Sequence, residues 1–105
     1  MSDAGACLPI SSGTNVTFDA ALTNPVVPQS TAIVTGTYQP TDYAIGPADA
    51  FPATAPAAPY PADLTVFNGL NGTSLNGTWK LFVLDDAAVD VGSIASGVTL
   101  TITTQ

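Results

Sequence analysis

Histidine, glutamate and arginine are absent from this 105-residue chain, and Lys80 is its only cation. Without imidazole, a serine or the single Cys7 has no partner to activate it as a nucleophile. The missing glutamate removes the usual second carboxylate of a glycosidase, and the missing arginine removes the bidentate clamp for phosphates and carboxylates. One lysine cannot displace the counterions condensed on a nucleic acid, nor hold the protein to an anionic membrane surface. Long apolar runs are missing too: the longest, Leu81 to Leu84, falls far short of the ~20 residues of a membrane span. Met1 to Ile10 has neither the basic start nor the continuous apolar stretch of a secretory signal. Cys7 has no second cysteine with which to form an internal disulfide. It reads as a small buried or half-buried thiol, with an intermolecular bridge as the alternative in an oxidising compartment.

What remains is a turn and strand vocabulary. All eight acids are aspartate, giving a formal charge of −7, and glycine and proline number nine each. Aspartate, glycine, proline and threonine serve turns and strands, whereas the charged residues that usually coat helices are nearly gone. The composition therefore argues against a helical protein, and with the strand patterns below the expectation is an all-β one. Its length allows one core, burying about 65% of the unfolded surface, so residues 1–105 are expected to form a single domain.

Along the sequence, Thr14 to Phe18 predicts a short strand with Val16 and Phe18 inward, and Thr31 to Tyr38 predicts another. Between Gln39 and Asp63 lie six of the nine prolines. A proline lacks the ladder donor and restricts the residue before it, so this stretch is neither a helix nor a central strand. Tyr43, Phe51 and Tyr60 are spaced through it as if to pin it, which favours an ordered loop over a free linker. Strands resume at Leu64 to Phe67 and Trp79 to Leu84, separated by the turn-forming Asn68-Gly69-Leu70-Asn71-Gly72.

The last third carries the densest pattern. In an extended backbone Trp79, Leu81 and Val83 share one face while Phe82 and Leu84 share the other, so this strand is apolar on both sides and expected to be central. Val98, Leu100 and Ile102 alternate with Thr99, Thr101 and Thr103, the pattern of a strand with one wet face. Gly77-Thr78-Trp79, the acidic Asp85-Asp86, Asp90, Gly92-Ser93-Ile94 and the tail from Leu100 to Thr103 follow one another in this order. This segment resembles the end of the P domain, or Homo B, which follows the catalytic domain of subtilisin-like proprotein convertases and occurs in many bacterial secreted and surface proteins.

The resemblance extends upstream through Ser2-Asp3-Ala4-Gly5, Val16-Thr17-Phe18-Asp19, Gly36-Thr37-Tyr38-Gln39-Pro40, Phe51-Pro52 and Phe67-Asn68-Gly69. It departs at Val98, where the family usually has a second tryptophan. It implies an antiparallel β-sandwich, jelly-roll-like and galactose-binding-like, with Trp79, Leu81, Val83, Val98, Leu100 and Ile102 in the core. Family members begin with further strands, so Met1-Ser2-Asp3 looks like the exit from one, and the sandwich is expected to be incomplete on its N-terminal side. An incomplete sheet exposes ladder donors and acceptors with which another polypeptide can pair.

Candidate sites are few. Asp90-Val91-Gly92-Ser93 is similar to the Asp-Thr-Gly-Ser of aspartic proteases, but valine replaces the hydroxyl residue and no second copy exists. The P-domain turn accounts for it better, and the protein is expected not to be an enzyme. Asp85, Asp86 and Asp90 place three carboxylates in one connection, which calcium could use, completed by backbone carbonyls or by Asp3. The same aspartates also serve as plain turn formers, and no Asp-x-Asp-x-Asp-Gly loop is present. Asn15-Val16-Thr17, Asn71-Gly72-Thr73 and Asn76-Gly77-Thr78 are formal glycosylation acceptors, read as turn and strand residues in a bacterial protein, which the alanine, threonine and aspartate bias suggests. Trp79 between apolar neighbours reads as core rather than as a ligand-stacking residue.

Two functions are consistent with these residues. One is a non-catalytic accessory module of a secreted or cell-surface protein, packing on a neighbouring protein domain. The other is an extracellular filament or surface-layer subunit in which identical copies complete each other's open sheet edge, a homo-oligomer built by strand pairing.

Overall fold

The computed structural model describes residues 4–6, 8–43, 48–61, 64–85 and 91–103. Among them there is no α-helix, in line with the composition; the regular elements are two short strands and two 3-10 turns. The protein divides into two units, 1–68 and 69–105.

In the first unit, β1 (Val16–Phe18) pairs with β2 (Gly36–Tyr38). The pairing is parallel, with Val16 opposite Gly36, Thr17 opposite Thr37 and Phe18 opposite Tyr38. A parallel pair needs a connection of about a dozen residues or more, and the excursion from Asp19 to Thr35 supplies it. The ladder continues past both ends: Gly36 N–H donates to Asn15 O at 3.1 Å and Asp19 N–H to Tyr38 O at 2.9 Å. Each excursion end is also tied by a side chain. Asp19 accepts the Ala21 N–H at 2.9 Å, and Thr35 Oγ1 accepts the Asn15 N–H at 3.1 Å.

Backbone groups of an extended strand alternate between its two edges. Tyr38 turns its carbonyl to β1, and the next N–H, of Gln39, donates to Pro25 O at 2.8 Å on the other side. Val26 and Gln39 form a parallel bridge there, so the segment Pro25–Val27 covers one end of the far edge of β2. The Gln39 side-chain amide donates to Asn24 O and fastens the same junction.

Val27 is the centre of this arrangement and is fully buried. Its backbone groups, lost to water, are both satisfied by side chains from beyond β2: Thr41 Oγ1 accepts its N–H at 3.2 Å and the Tyr43 hydroxyl donates to its carbonyl at 2.6 Å. Among the described residues Tyr38 is the other buried large side chain, with its hydroxyl donating to Val34 O at 3.1 Å. The ring lies over Gly36, where a Cβ would come within 3.2 Å of it. Residues i and i+2 of a strand share a face, so the bare glycine makes the space that the ring occupies. Gly5, at φ +84°, donates to Pro28 O at 2.8 Å and closes the N-terminal side against Ile33.

Further on in the same unit, Phe51 and Tyr60 meet edge to face with centroids 5.3 Å apart. The Tyr60 hydroxyl accepts the Phe51 N–H at 3.2 Å and donates to Pro56 O at 3.0 Å. One phenol thus satisfies backbone groups that a proline-rich segment cannot pair in a ladder.

Several expectations meet a different arrangement. The observed strand pair is parallel, whereas an antiparallel sheet was expected. Thr65–Phe67, expected in a strand, forms a 3-10 turn that Leu64 opens and Asn68 closes. Phe18, expected inward, is 40% exposed. In the second unit Gly72–Leu75 forms another 3-10 turn, and Trp79 folds back on it by donating its indole N–H to Leu75 O at 3.2 Å. No described residue of this unit belongs to a strand. Trp79, Leu81, Val83, Val98, Leu100 and Ile102, expected in a core, are all exposed, from 42% at Ile102 to 69% at Val83. The alternation sorts side chains to faces, but a face is buried only when a neighbouring strand or sheet lies against it, and the described residues of this unit form none.

Candidate functional site

Among the described residues the side chains able to do acid–base or metal chemistry are few. Asp19, Asp42 and Asp85 are exposed, Asp49 is half-buried and Lys80 is exposed. Asp19 is committed to the turn at the exit of β1, where its carboxylate holds the Ala21 N–H and its carbonyl accepts the Asn24 side-chain amide at 3.3 Å. Of the four aspartates expected to bind calcium, Asp85 is described and exposed. Asp3, Asp86 and Asp90 lie outside the described residues, as does Cys7. Asp85 alone supplies one or two of the roughly six to eight oxygens that calcium takes. Among the described residues no three His, Cys, Asp or Glu side chains gather where they could hold a metal ion.

The Asp90-Val91-Gly92-Ser93 motif is described from Val91, which is 97% exposed. A catalytic carboxylate pair needs two acids held together and shielded from water. The described part of this motif is open to solvent.

Apolar surface is the plentiful feature. In the second unit Leu70, Leu84, Val91 and Ile94 join the six strand-patterned residues in being more than two-fifths exposed. Single exposed apolar side chains are ordinary, but here they recur at alternating positions along 79–83 and 98–102. In the first unit, β1 has no strand on its outer edge among the described residues. No family model, curated protein or solved structure matches this protein. Its own surface chemistry therefore carries the functional reading, and that chemistry is apolar, at the sequence spacing of a strand.

Val27 was the structural residue least visible in the sequence. The only signal was its position in Pro25-Val26-Val27-Pro28, where flanking prolines hold the pair extended. Among the described residues no helix is long and apolar enough to cross a membrane.

Proposed function

We propose that this protein is a non-catalytic accessory module of the P-domain type, from a secreted or cell-surface protein of a bacterium. It works by protein–protein packing, and its final form is an antiparallel β-sandwich that closes when the C-terminal segments gain their neighbours. The observation that carries this reading is the exposure of Trp79, Leu81, Val83, Val98, Leu100 and Ile102 at strand spacing. Such a surface gains about 25 cal/mol for each Å² removed from water, and side chains this large dominate the gain. The scarcity of proton-transfer groups supports a role by shape over a role in catalysis.

Size-exclusion chromatography of the protein with a subtilisin-like catalytic domain is the direct test. Co-elution is expected, weakened at least roughly tenfold by the double change L100D and I102D, which places charge on the packing face. A monodisperse monomer that ignores the domain sinks the proposal.

A second reading rests on the outer edge of β1, where no strand lies among the described residues. Identical copies pairing there in sequence would give a self-assembling filament or surface-layer subunit. Regular filaments in negative stain would establish this reading in place of the first.

Calcium belongs to the accessory reading, tying the turn at Asp85, Asp86 and Asp90 with help from Asp3. Melting with calcium and again with a chelator tests it: a ligand at a hundredfold excess over its Kd stabilises by about 2.7 kcal/mol. The upward shift is expected to vanish in D85N. An unchanged midpoint in the native protein removes calcium from the account.

A further inference from the structure

Three of the five asparagines, Asn68, Asn71 and Asn76, each precede a glycine within a stretch of nine residues. All six residues of these pairs are exposed. A Cβ at Gly69, Gly72 or Gly77 would meet nothing within 4 Å, so the space around each pair is open. We propose that this stretch is a site of spontaneous covalent self-modification, in which Asn68 and Asn76 convert through a cyclic imide to aspartate and isoaspartate while Asn71 is held back.

The step needs only water. The backbone nitrogen of the glycine gives up its proton and attacks Cγ of the preceding asparagine. A new C–N bond closes the five-membered imide, the bond from Cγ to the amide nitrogen Nδ2 breaks, and that nitrogen leaves as ammonia. Water then opens the ring at either carbonyl, so that the backbone continues through the α- or the β-carboxyl group. Nothing is oxidised or reduced, and each event replaces a neutral amide with a carboxylate.

Closure requires the glycine nitrogen to swing about the Cα–C bond of asparagine until it eclipses Cβ. Asn68 and Asn76 both start from ψ 133°, in the extended region, so both must turn. Each is anchored on its N-terminal side, Asn68 N–H to Thr65 O at 2.9 Å and Asn76 N–H to Thr73 O at 3.2 Å. Neither bond involves the peptide that has to rotate. Asn71 is extended as well, at ψ 169°, but its carbonyl accepts the Ser74 N–H at 3.1 Å and its following peptide opens the 3-10 turn Gly72–Leu75. Turning that peptide breaks the bond.

The other two asparagines are internal controls. Asn15 precedes Val16, whose branched side chain hinders the attack and whose backbone lies in β1. Asn24 precedes Pro25, which has no N–H to lose. Because Lys80 is the only cation, every conversion adds to an already negative protein.

Incubating the intact protein in mildly alkaline buffer, followed by anion exchange and peptide mass spectrometry, tests the proposal. The expected result is stepwise retention of more acidic forms, with conversion at Asn68 and Asn76 roughly fivefold faster than at Asn71, the factor set by one backbone hydrogen bond. N68Q with N76Q should remove most of the acidic forms, and isoaspartate should be found at both native positions. Conversion at Asn71 as fast as at its neighbours would overturn the protection, and failure of the 68–77 stretch to react while a free peptide of that sequence does would overturn the site.

Discussion

Val27→Asp is expected to abolish protection of the backbone from Asn15 to Tyr43, read by hydrogen exchange of the peptides that span it. Val27 is fully buried, and the side-chain oxygens bonded to its backbone, Thr41 Oγ1 and the Tyr43 hydroxyl, are already engaged there. A carboxylate at this position would be taken out of water, and residues 1–68 supply no lysine, arginine or histidine side chain to meet it. The cost is on the order of 3 to 5 kcal/mol, a large part of the stability of a small domain. Val27→Ala separates the charge effect from lost packing: it removes two methyl groups and leaves a small void, for about 2 kcal/mol. The order Asp worse than Ala worse than wild type is the expected signature. Equal protection in all three would show that Val27 is not what holds β2 to the segment before it.

The non-helical character of the described residues was legible in composition because the glutamate, lysine and arginine that usually coat helices are nearly absent, whereas proline, glycine and threonine abound. The positions of β1 and β2 were legible as well, since Val16–Phe18 and Gly36–Tyr38 fall inside the two runs expected to be strands. Direction was not legible. Whether two short strands run parallel or antiparallel depends on how the backbone between them travels, and Asp19 to Thr35 has no periodicity that discloses its path. Burial is a separate matter from periodicity. Val98, Leu100 and Ile102 announce a face, yet an alternating pattern specifies only which side chains go together and says nothing of whether a surface comes to meet them. Val27 shows the converse: it sits in a short apolar pair between prolines, yet it is fully buried, and its backbone groups are met by Thr41 and Tyr43 from well downstream, which leaves no local pattern. The candidate site was hard to read because the acidic connection is defined by residue types alone. Aspartates in turns look the same in sequence whether they bind backbone N–H groups, as Asp19 does, or a cation.

Tyr38→Ala is expected to be nearly as damaging as the buried charge, through packing instead of electrostatics. The ring fills the space over Gly36, its hydroxyl holds Val34 O, and its backbone carbonyl receives Asp19 N–H from the β1 side. Truncation leaves that backbone bond possible but empties the face, at about 3 to 5 kcal/mol by analogy with other buried aromatics. Two further changes divide the loss. Tyr38→Phe keeps the ring and gives up the hydroxyl bond, leaving the Val34 carbonyl to water, for about 1 kcal/mol. Gly36→Ala keeps Tyr38 whole but sets a methyl group 3.2 to 3.3 Å from ring atoms that the Val34 bond prevents from sliding away, so it should cost about 1 to 3 kcal/mol. Combining Gly36→Ala with Tyr38→Ala should cost less than the sum of the two, because the added methyl then enters vacated space. Measured by urea unfolding, that departure from additivity is the decisive quantity: strict additivity would mean that the ring and the glycine do not share a face, and the packing account of β2 would fall with it.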